Sequence, residues 1–442
     1  MKTTKFFFMA ALALMTAACS NDDNDLTQQP AKAEGIPFTA TISIGESGTT
    51  RALSESGSTL VATWATGEKV ALIYTVSATT YVKEAEVTPQ GDGTATISTM
   101  LEGSPADDTD VTIVYPASAV DGTTKDVKTD LLASQNGLLT GTGSIAEKYE
   151  LRKTTTPAKL KIDGTTASLK GTVSLTNQNA IFKLTLKDID GTSDVSATSV
   201  VISDQTGVVT TVTPAPATNV MYVALPTTAT TLKFLVTGSD SKKYFNMASS
   251  LSLGASYYQS TVKLATVGDV ILSTGKCAKA GTSGAVAKIC YLGDETGESA
   301  YNYTNGLALA LSDASTGCKW KTEDSDAGHT KQTSSTFTEE SGLQYNDATH
   351  NSDTYPAFKA AIANNGTTAP TGCSSWFLAS GYQWQKMIST AGLSNLGLTG
   401  DVNYWSSTEK SADKTWLFKS SNGSWSNRSK SLNYPVRACL AF

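Results

Sequence analysis

Few side chains in this 442-residue chain are of a kind that does chemistry, and their spacing narrows what that chemistry is. The two histidines, His329 and His350, lie in polar stretches with no HxxxH pairing and no nucleophile elbow nearby. Asp324 and Asp326 stand close to His329, but a solvated loop is the expected state there and no metal is expected. Beyond Cys19, the five cysteines Cys277, Cys290, Cys318, Cys373 and Cys439 contain no CxxC spacing. That argues against zinc and allows up to two disulfides, with one thiol left over, in an oxidising exterior. Arginine is scarce: Arg51, Arg152, Arg428 and Arg437 are the whole set. Arg51 is alone between Met1 and Leu151 and sits in Gly48-Thr49-Thr50-Arg51-Ala52, a small-residue stretch of the exposed kind that proteases prefer. The chemistry this pattern points to is done on the chain, as a cut after Arg51. Catalysis needs a convergent set of titratable groups. With 17% charged residues and two histidines none is visible, so neither an enzyme nor a cofactor is expected.

The N-terminus carries a second modification site. Lys2 and Lys5 precede the apolar run Phe6 to Met15, which stops at Thr16, Ala17 and Ala18, so residues 1–18 read as a secretory signal peptide. The run is shorter than the ~20 residues of a bilayer span. Ala17-Ala18-Cys19 resembles the lipobox of bacterial lipoproteins, with Thr16 where leucine is usual. The resemblance implies lipidation of Cys19 and attachment to the outer membrane through that anchor. Residues 19–35 follow as a tether. Its acidic start, Ser20-Asn21-Asp22-Asp23-Asn24-Asp25, is too polar to fold and is similar to the surface-export signal of Bacteroidetes lipoproteins.

The elements that would position these sites follow from composition and periodicity. The mature length suits two or three domains at roughly 150 residues each. A net charge of −6 argues against a nucleic-acid partner. From Ile36 to about Ala265, short runs of period-two alternation rich in Thr, Val and Ser are separated by Gly, Pro and Asp, which predicts β-sandwiches. In the first strand, Ile36, Phe38, Ala40, Ile42 and Ile44 alternate with polar neighbours. Val70–Tyr74, Val111–Tyr115 and Ala180–Leu186 read as further strands, and Asp130–Ala133 as one turn.

Composition shifts near Gly268, beyond which lie six of the seven tryptophans, both histidines and every cysteine but Cys19. We therefore expect a separate α+β domain over residues 266–442. Helical spacing occurs at Leu307, Ala308 and Leu311, from Tyr355 to Ile362, and from Trp384 to Ile388. Strands are expected at Val270–Leu272, Ala287–Leu292 and Val436–Phe442, and Asn422-Gly423 predicts a two-residue hairpin turn between Thr415–Ser420 and Ser424–Lys430. That turn places Trp416, Phe418, Trp425 and Asn427 on one face, with Arg428 on the other. Most of the tryptophans are expected in the core. Trp425, near the hairpin tip with Asn427 and Arg428, is the candidate ligand contact.

Two resemblances organise these readings. Thr50-Arg51-Ala52, Trp64-Ala65-Thr66-Gly67-Glu68-Lys69-Val70, Tyr115-Pro116 and Thr129–Ala133 resemble the landmarks of the fimbrillin family, the subunits of type V pili in Bacteroidetes, over about Ile36 to Ala265. The family's usual Gly-Asp is here Gly67-Glu68. This implies two transthyretin-like β-sandwiches, residues 36–170 and 171–265, with the inner boundary near Gly171. It also implies assembly by strand exchange: a protease cuts after Arg51, the strand Ile36–Ile44 leaves, and a strand of another pilus subunit adds in its place.

From Gly268 onward, Trp376-Phe377-Leu378-Ala379-Ser380, Tyr382-Gln383-Trp384, Tyr404-Trp405-Ser406-Ser407-Thr408-Glu409 and Val436-Arg437-Ala438-Cys439 resemble a major paralogous domain of Bacteroidetes and Fibrobacter surface proteins. The usual Phe-Leu-Pro-Ser is Phe-Leu-Ala-Ser here. This implies a C-type-lectin-like fold, related to formylglycine-generating enzymes but lacking their cysteine pair. The combined expectation is a pilus subunit at the tip or in an accessory position, binding a host or microbial surface glycan or protein. The competing one is a permanently anchored, glycan-binding surface lipoprotein.

Overall fold

The computed structural model describes residues 35–44, 53–57, 59–91, 93–248, 251–398 and 400–442. The chain is mainly β, arranged as three consecutive bodies. The first contains β1 (Ile36–Ser43), the short hairpin β2 (Ser54–Ser56) and β3 (Thr59–Val61), β4 (Lys69–Val76), β5 (Thr79–Pro89), β6 (Thr94–Leu101), β7 (Asp110–Tyr115), β8 (Ser134–Gln135), β9 (Arg152–Lys153), β10 (Ala158–Asp163), β11 (Thr166–Leu169), β12 (Val173–Ser174) and β13 (Thr176–Asn177). Its main sheet runs β10-β11-β1-β6-β5-β4-β7-β9-β13 and curls until β7 meets β10, Val111 opposite Ala158. The sandwich is thereby closed along one side. Alternation explains the core: Phe38, Ile42, Val70, Leu72, Tyr74, Ile97 and Ile113 point inward. Ala71 and Val114 face the other way, under a smaller cover that includes Ala119 and Leu151.

The second body comprises β14 (Asn179–Asp188), β15 (Ala197–Ser203), β16 (Val208–Val212), β17 (Val220–Pro226), β18 (Leu232–Gly238), β19 (Lys243–Ala248) and β20 (Tyr257–Leu264). The sheet β17-β14-β20 packs on β19-β18-β15-β16-β8. The strand β8 belongs in sequence to the first body but pairs with β16. Its Gln135 mimics a backbone partner, donating to the Ala224 carbonyl at 2.8 Å and accepting from the Ala224 N–H at 2.9 Å. β12 and β13 still pair with strands of the first body, so the change of sheet falls between Asn177 and Asn179, later in the chain than Gly171. The residues after Gly171 are needed to complete the ladders of β1 and β9.

The third body has β21 (Val270–Leu272), β22 (Cys277–Ala278), β23 (Ala285–Leu292), β24 (Gly306–Ala310), β25 (Ser315–Lys319), α1 (Pro356–Ala363), β26 (Phe377–Leu378), α2 (Gly381–Ala391), β27 (Asn403–Glu409), β28 (Lys414–Lys419), β29 (Trp425–Ser429), β30 (Asn433–Val436) and β31 (Ala438–Ala441). The central sheet is β22-β21-β23-β24-β31-β26, beside the pair β25-β30 and the sheet β27-β28-β29. Both expected helices from Tyr355 and Trp384 form, and α2 starts at a capping box in which Ser380 and Gln383 bond reciprocally. Leu307–Leu311 is not a helix. Gly306–Ala310 is a central strand buried on both faces, where apolar residues at every position carry no usable periodicity. Gly306 is required there because the Phe442 ring lies where a Cβ would sit.

The second and third bodies share a core. Phe245 and Phe442 pack with tilted rings, centroids 4.6 Å apart, and the buried Lys233 ammonium lies 5.1 Å from the centre of the Tyr303 ring. Among the described residues no helix is long and apolar enough to cross a membrane. The cysteines from Cys277 to Cys439 are all free thiols. Burial pushes Cys290 up to about 12 and Cys439 well above the ordinary thiol range, which keeps both protonated and unreactive.

Candidate functional site

The strand β1 and its surroundings form the most specific constellation. On one side every residue of β1 faces a partner in antiparallel β6, from Ile36 opposite Leu101 to Ser43 opposite Thr94. On the other side the ladder is parallel and broken: Phe38 meets Ala167 of β11, and Ile42 and Ser43 meet Val173 and Ser174 of β12. Phe38, Ile42 and Ile44 are buried at 1%, 0% and 3% exposure. At ~1.5–3 kcal/mol per fully buried large side chain, the three contribute ~5–9 kcal/mol, comparable to the ~5–15 kcal/mol that stabilises a whole domain. Loss of β1 without replacement would therefore remove a large share of the stability of the body.

The C-terminal end of β1 is clasped. Arg152 donates from Nη1 to the Ile44 carbonyl at 2.9 Å and from Nε to the buried Glu150 carboxylate at 2.7 Å. Ile44 and Leu53, which bracket residues 45–52, line one cleft of about 460 Å³ together with Arg152, Leu175, Ile181 and Tyr257. Beyond Leu53, the β2–β3 hairpin lies over the outer face of β17-β14-β20. Glu55 accepts from Lys183 at 2.6 Å and from the Tyr257 hydroxyl, and Gln259 donates to the Gly57 carbonyl at 2.9 Å. The Lys183 ammonium, ahead of the Tyr257 hydroxyl, lowers the Glu55 carboxyl below its usual range. Cys19 and Arg51 themselves lie outside the described residues.

The strings Trp64–Val70 and Tyr115-Pro116 also meet. Trp64 meets Tyr115 edge to face at 5.4 Å, and the Tyr115 hydroxyl reaches both the Glu68 carboxylate (3.1 Å) and the Ala146 carbonyl (3.0 Å). Glu68 also accepts from the Ala65 N–H at 3.0 Å.

In the third body, the hairpin that carries Trp425, Asn427 and Arg428 forms with a different turn. Phe418 pairs with Trp425 and Trp416 with Asn427, so Ser420–Gly423 is a four-residue turn rather than a two-residue one. Gly423 adopts φ +70° there and its N–H closes the turn on the Lys419 carbonyl at 2.8 Å. Trp425 rests half-buried against Phe337, with centroids 4.5 Å apart. Asn427 is half-buried on the same face, and the exposed Arg428 on the opposite face donates to the Asn427 carbonyl. Trp416 and Phe418 are core residues, but Thr415 and Leu417 on the other face are buried too.

The sequence reading missed a buried polar network. His329 and His350, placed in solvated loops by their polar neighbours, are only 6% and 7% exposed, with their Nε2 atoms 2.8 Å apart. Tyr345 stacks on His329 at 3.6 Å and points its hydroxyl toward Glu340. Burial pushes the Glu340 carboxyl up to about 7, while burial and then the His350 charge hold His329 down at about 3. Nearby, the fully buried Lys430 ammonium binds the Glu409 carboxylate and the carbonyls of Ser325 and Ala412. Asp324 is turned to Ser429 and Ser431, and Asp326 pairs with Lys331. Among the described residues no three His, Cys, Asp or Glu side chains group as a metal site. Polar sequence around a histidine reports nothing about burial when the loop folds back on aromatic neighbours such as Trp320 and Phe358.

No family model matches the chain, and no curated protein does. Among solved structures it is similar to a fimbrial protein of Bacteroides ovatus, at 14% identity over 92% of this chain and 99% of that one, with a TM-score of 0.33. It is also similar to a candidate cell adhesion protein of Bacteroides uniformis, at 16% identity over 53% and 94% of the two chains, with a TM-score of 0.29. A candidate adhesin of Bacteroides ovatus is similar at 10% identity over 57% and 98%, with a TM-score of 0.25.

Proposed function

We propose that this protein is a surface pilus subunit of the fimbrillin kind, made as a lipoprotein on Cys19 and assembled by strand exchange after a cut at Arg51. The observation that carries the reading is β1 itself: a buried, alternating strand with a full ladder on one side and a broken one on the other. The sole arginine of the first 151 residues lies between the two residues, Ile44 and Leu53, that bracket its exit. Once the chain is cut, a strand of another subunit offers the same hydrogen bonds and apolar face, so exchange costs little net pairing.

The third body supports a tip or accessory position. β31 is paired on both sides, by β24 and β26, so it is not free to enter a neighbour. Its role in this reading is to bind a host or microbial surface glycan or protein without chemistry. The test is N-terminal sequencing of surface-exposed protein, with Arg51→Ala alongside. A mature N-terminus at Ala52, and an Arg51→Ala chain that stays lipidated and monomeric, support assembly. A mature chain still beginning at Cys19 refutes it and leaves a permanently anchored, glycan-binding lipoprotein.

A further inference from the structure

The chain contains two histidines and they touch. His350 Nδ1 faces the Asp347 carboxylate at 2.8 Å, His350 Nε2 faces His329 Nε2 at 2.8 Å, and His329 Nδ1 faces the Ser407 carbonyl at 3.3 Å. Both ends of this row are acceptors, so three contacts need three ring protons. Two neutral imidazoles supply two, and one imidazole beside one imidazolium supplies three. The row is therefore complete when the pair carries a single positive charge, opposite the Asp347 carboxylate. A fourth proton sets two N–H groups against each other across the gap between the rings, with no acceptor for either.

We propose that His329 and His350 share one proton and act as a single acid-sensing unit, in which uptake of a second proton from solvent forces the rings apart and opens the packing around them. The packing leaves little room for a graded response. His329 is clamped between the stacked Tyr345 ring and the edges of Trp320 and Phe358, and His350 lies against Tyr355 and Phe358. The charged neighbours on each packing element are paired. Beside β25, Lys321 lies over the Tyr355 ring and donates to the Asp326 carbonyl. From the end of β27, Glu409 holds Lys430, whose ammonium lies over Trp320. Glu340 meets the Tyr345 hydroxyl, and Lys359 on α1 is turned outward to Asp353. Asp347 is the carboxylate left to balance the imidazolium.

Imidazole-15N labelling of the full chain tests this cleanly, because every histidine signal belongs to the pair. Between roughly pH 5 and 8, where an ordinary histidine titrates, we expect both Nδ1 atoms protonated, one proton across the Nε2 atoms and no independent titration. At lower pH the second proton should arrive together with a change in Trp320 fluorescence, since an imidazolium quenches an adjacent indole. His329→Phe keeps a ring on Tyr345 and removes the second proton site, so the acid opening should move to lower pH. Two rings titrating separately near their ordinary value in an intact fold, two neutral rings throughout, or an unchanged opening in His329→Phe would each overturn the proposal. Should His329→Phe not fold, the wild-type spectra decide.

Discussion

The Tyr115 hydroxyl and the Glu68 carboxylate meet at 3.1 Å although 47 positions separate them. The contact ties the loop before β4 to the end of β7. It joins the Trp-x-x-Gly-Glu string to the Tyr-Pro pair, since Trp64 packs on the ring whose hydroxyl Glu68 binds. Tyr115→Phe keeps the ring and deletes the hydroxyl. It should destabilise the first body by ~0.5–1.5 kcal/mol, or more where the Glu68 carboxylate loses solvation as well. Denaturant unfolding followed by hydrogen exchange of β7 amides measures this, and exchange unchanged from wild type would remove Tyr115 from the role.

Arg152 should act as the clasp on β1. Arg152→Ala removes the donor to the Ile44 carbonyl and the cation beside the buried Glu150, a change that costs ~3–5 kcal/mol when the remaining charge stays buried. Pairing it with Glu150→Gln should recover part of that loss. The expected readout is faster amide exchange at the C-terminal end of β1 in Arg152→Ala, with the first residues of the strand less affected. Uniform exchange along β1 would show that the clasp holds nothing locally.

Ile42 lies at the fully buried centre of the inward face of β1. Ile42→Ala should cost ~2–5 kcal/mol, as large-to-small core changes do. In the strand-exchange reading it also loosens the resident strand relative to an incoming one. A synthetic peptide with the wild-type sequence Ile36–Ile44 should therefore displace the resident strand faster in Ile42→Ala than in wild type once the chain is cut after Arg51, as seen by native mass spectrometry. Equal displacement rates would argue that β1 does not exchange.

What was legible in the sequence followed from local rules. The alternation of β1, the hairpin of β28 and β29 and the helix around Trp384 to Ile388 each depend on neighbours a few residues apart. What was not legible depends on pairing across distance. β24 looked helical because a strand buried on both faces has no polar positions to reveal its period. The hairpin register moved because Lys419 pairs its backbone with Ser424, which turns Asn422-Gly423 into half of a longer loop. Gln135 crosses into the neighbouring sandwich, and the histidines find one another through a fold that brings residues 329 and 350 under the same aromatic cover.

Glu340 and His329 should shape the pH dependence of the third body in opposite directions. The folded Glu340 carboxyl titrates at about 7 against an ordinary 4.5, so the fold holds its proton more tightly than the unfolded chain does. Its stabilising contribution is full below 4.5 and is lost as pH rises through about 7. His329 is held at about 3 against an ordinary 6.5, so its contribution is full above 6.5 and is lost as pH falls toward 3. Each slope amounts to ~1.4 kcal/mol per pH unit where it acts, and across the shared window, 4.5 to 6.5, the two oppose each other. Wild-type stability should accordingly vary little there. Glu340→Gln keeps a side chain that can meet Gln332 and Thr408 but removes the titration, so its stability should rise with pH across that window. His329→Phe should do the reverse and lose stability as pH rises. Urea midpoints of the three proteins, measured at several pH values within the window, test the pair together. Parallel profiles for wild type and both variants would show that neither group carries the pH dependence.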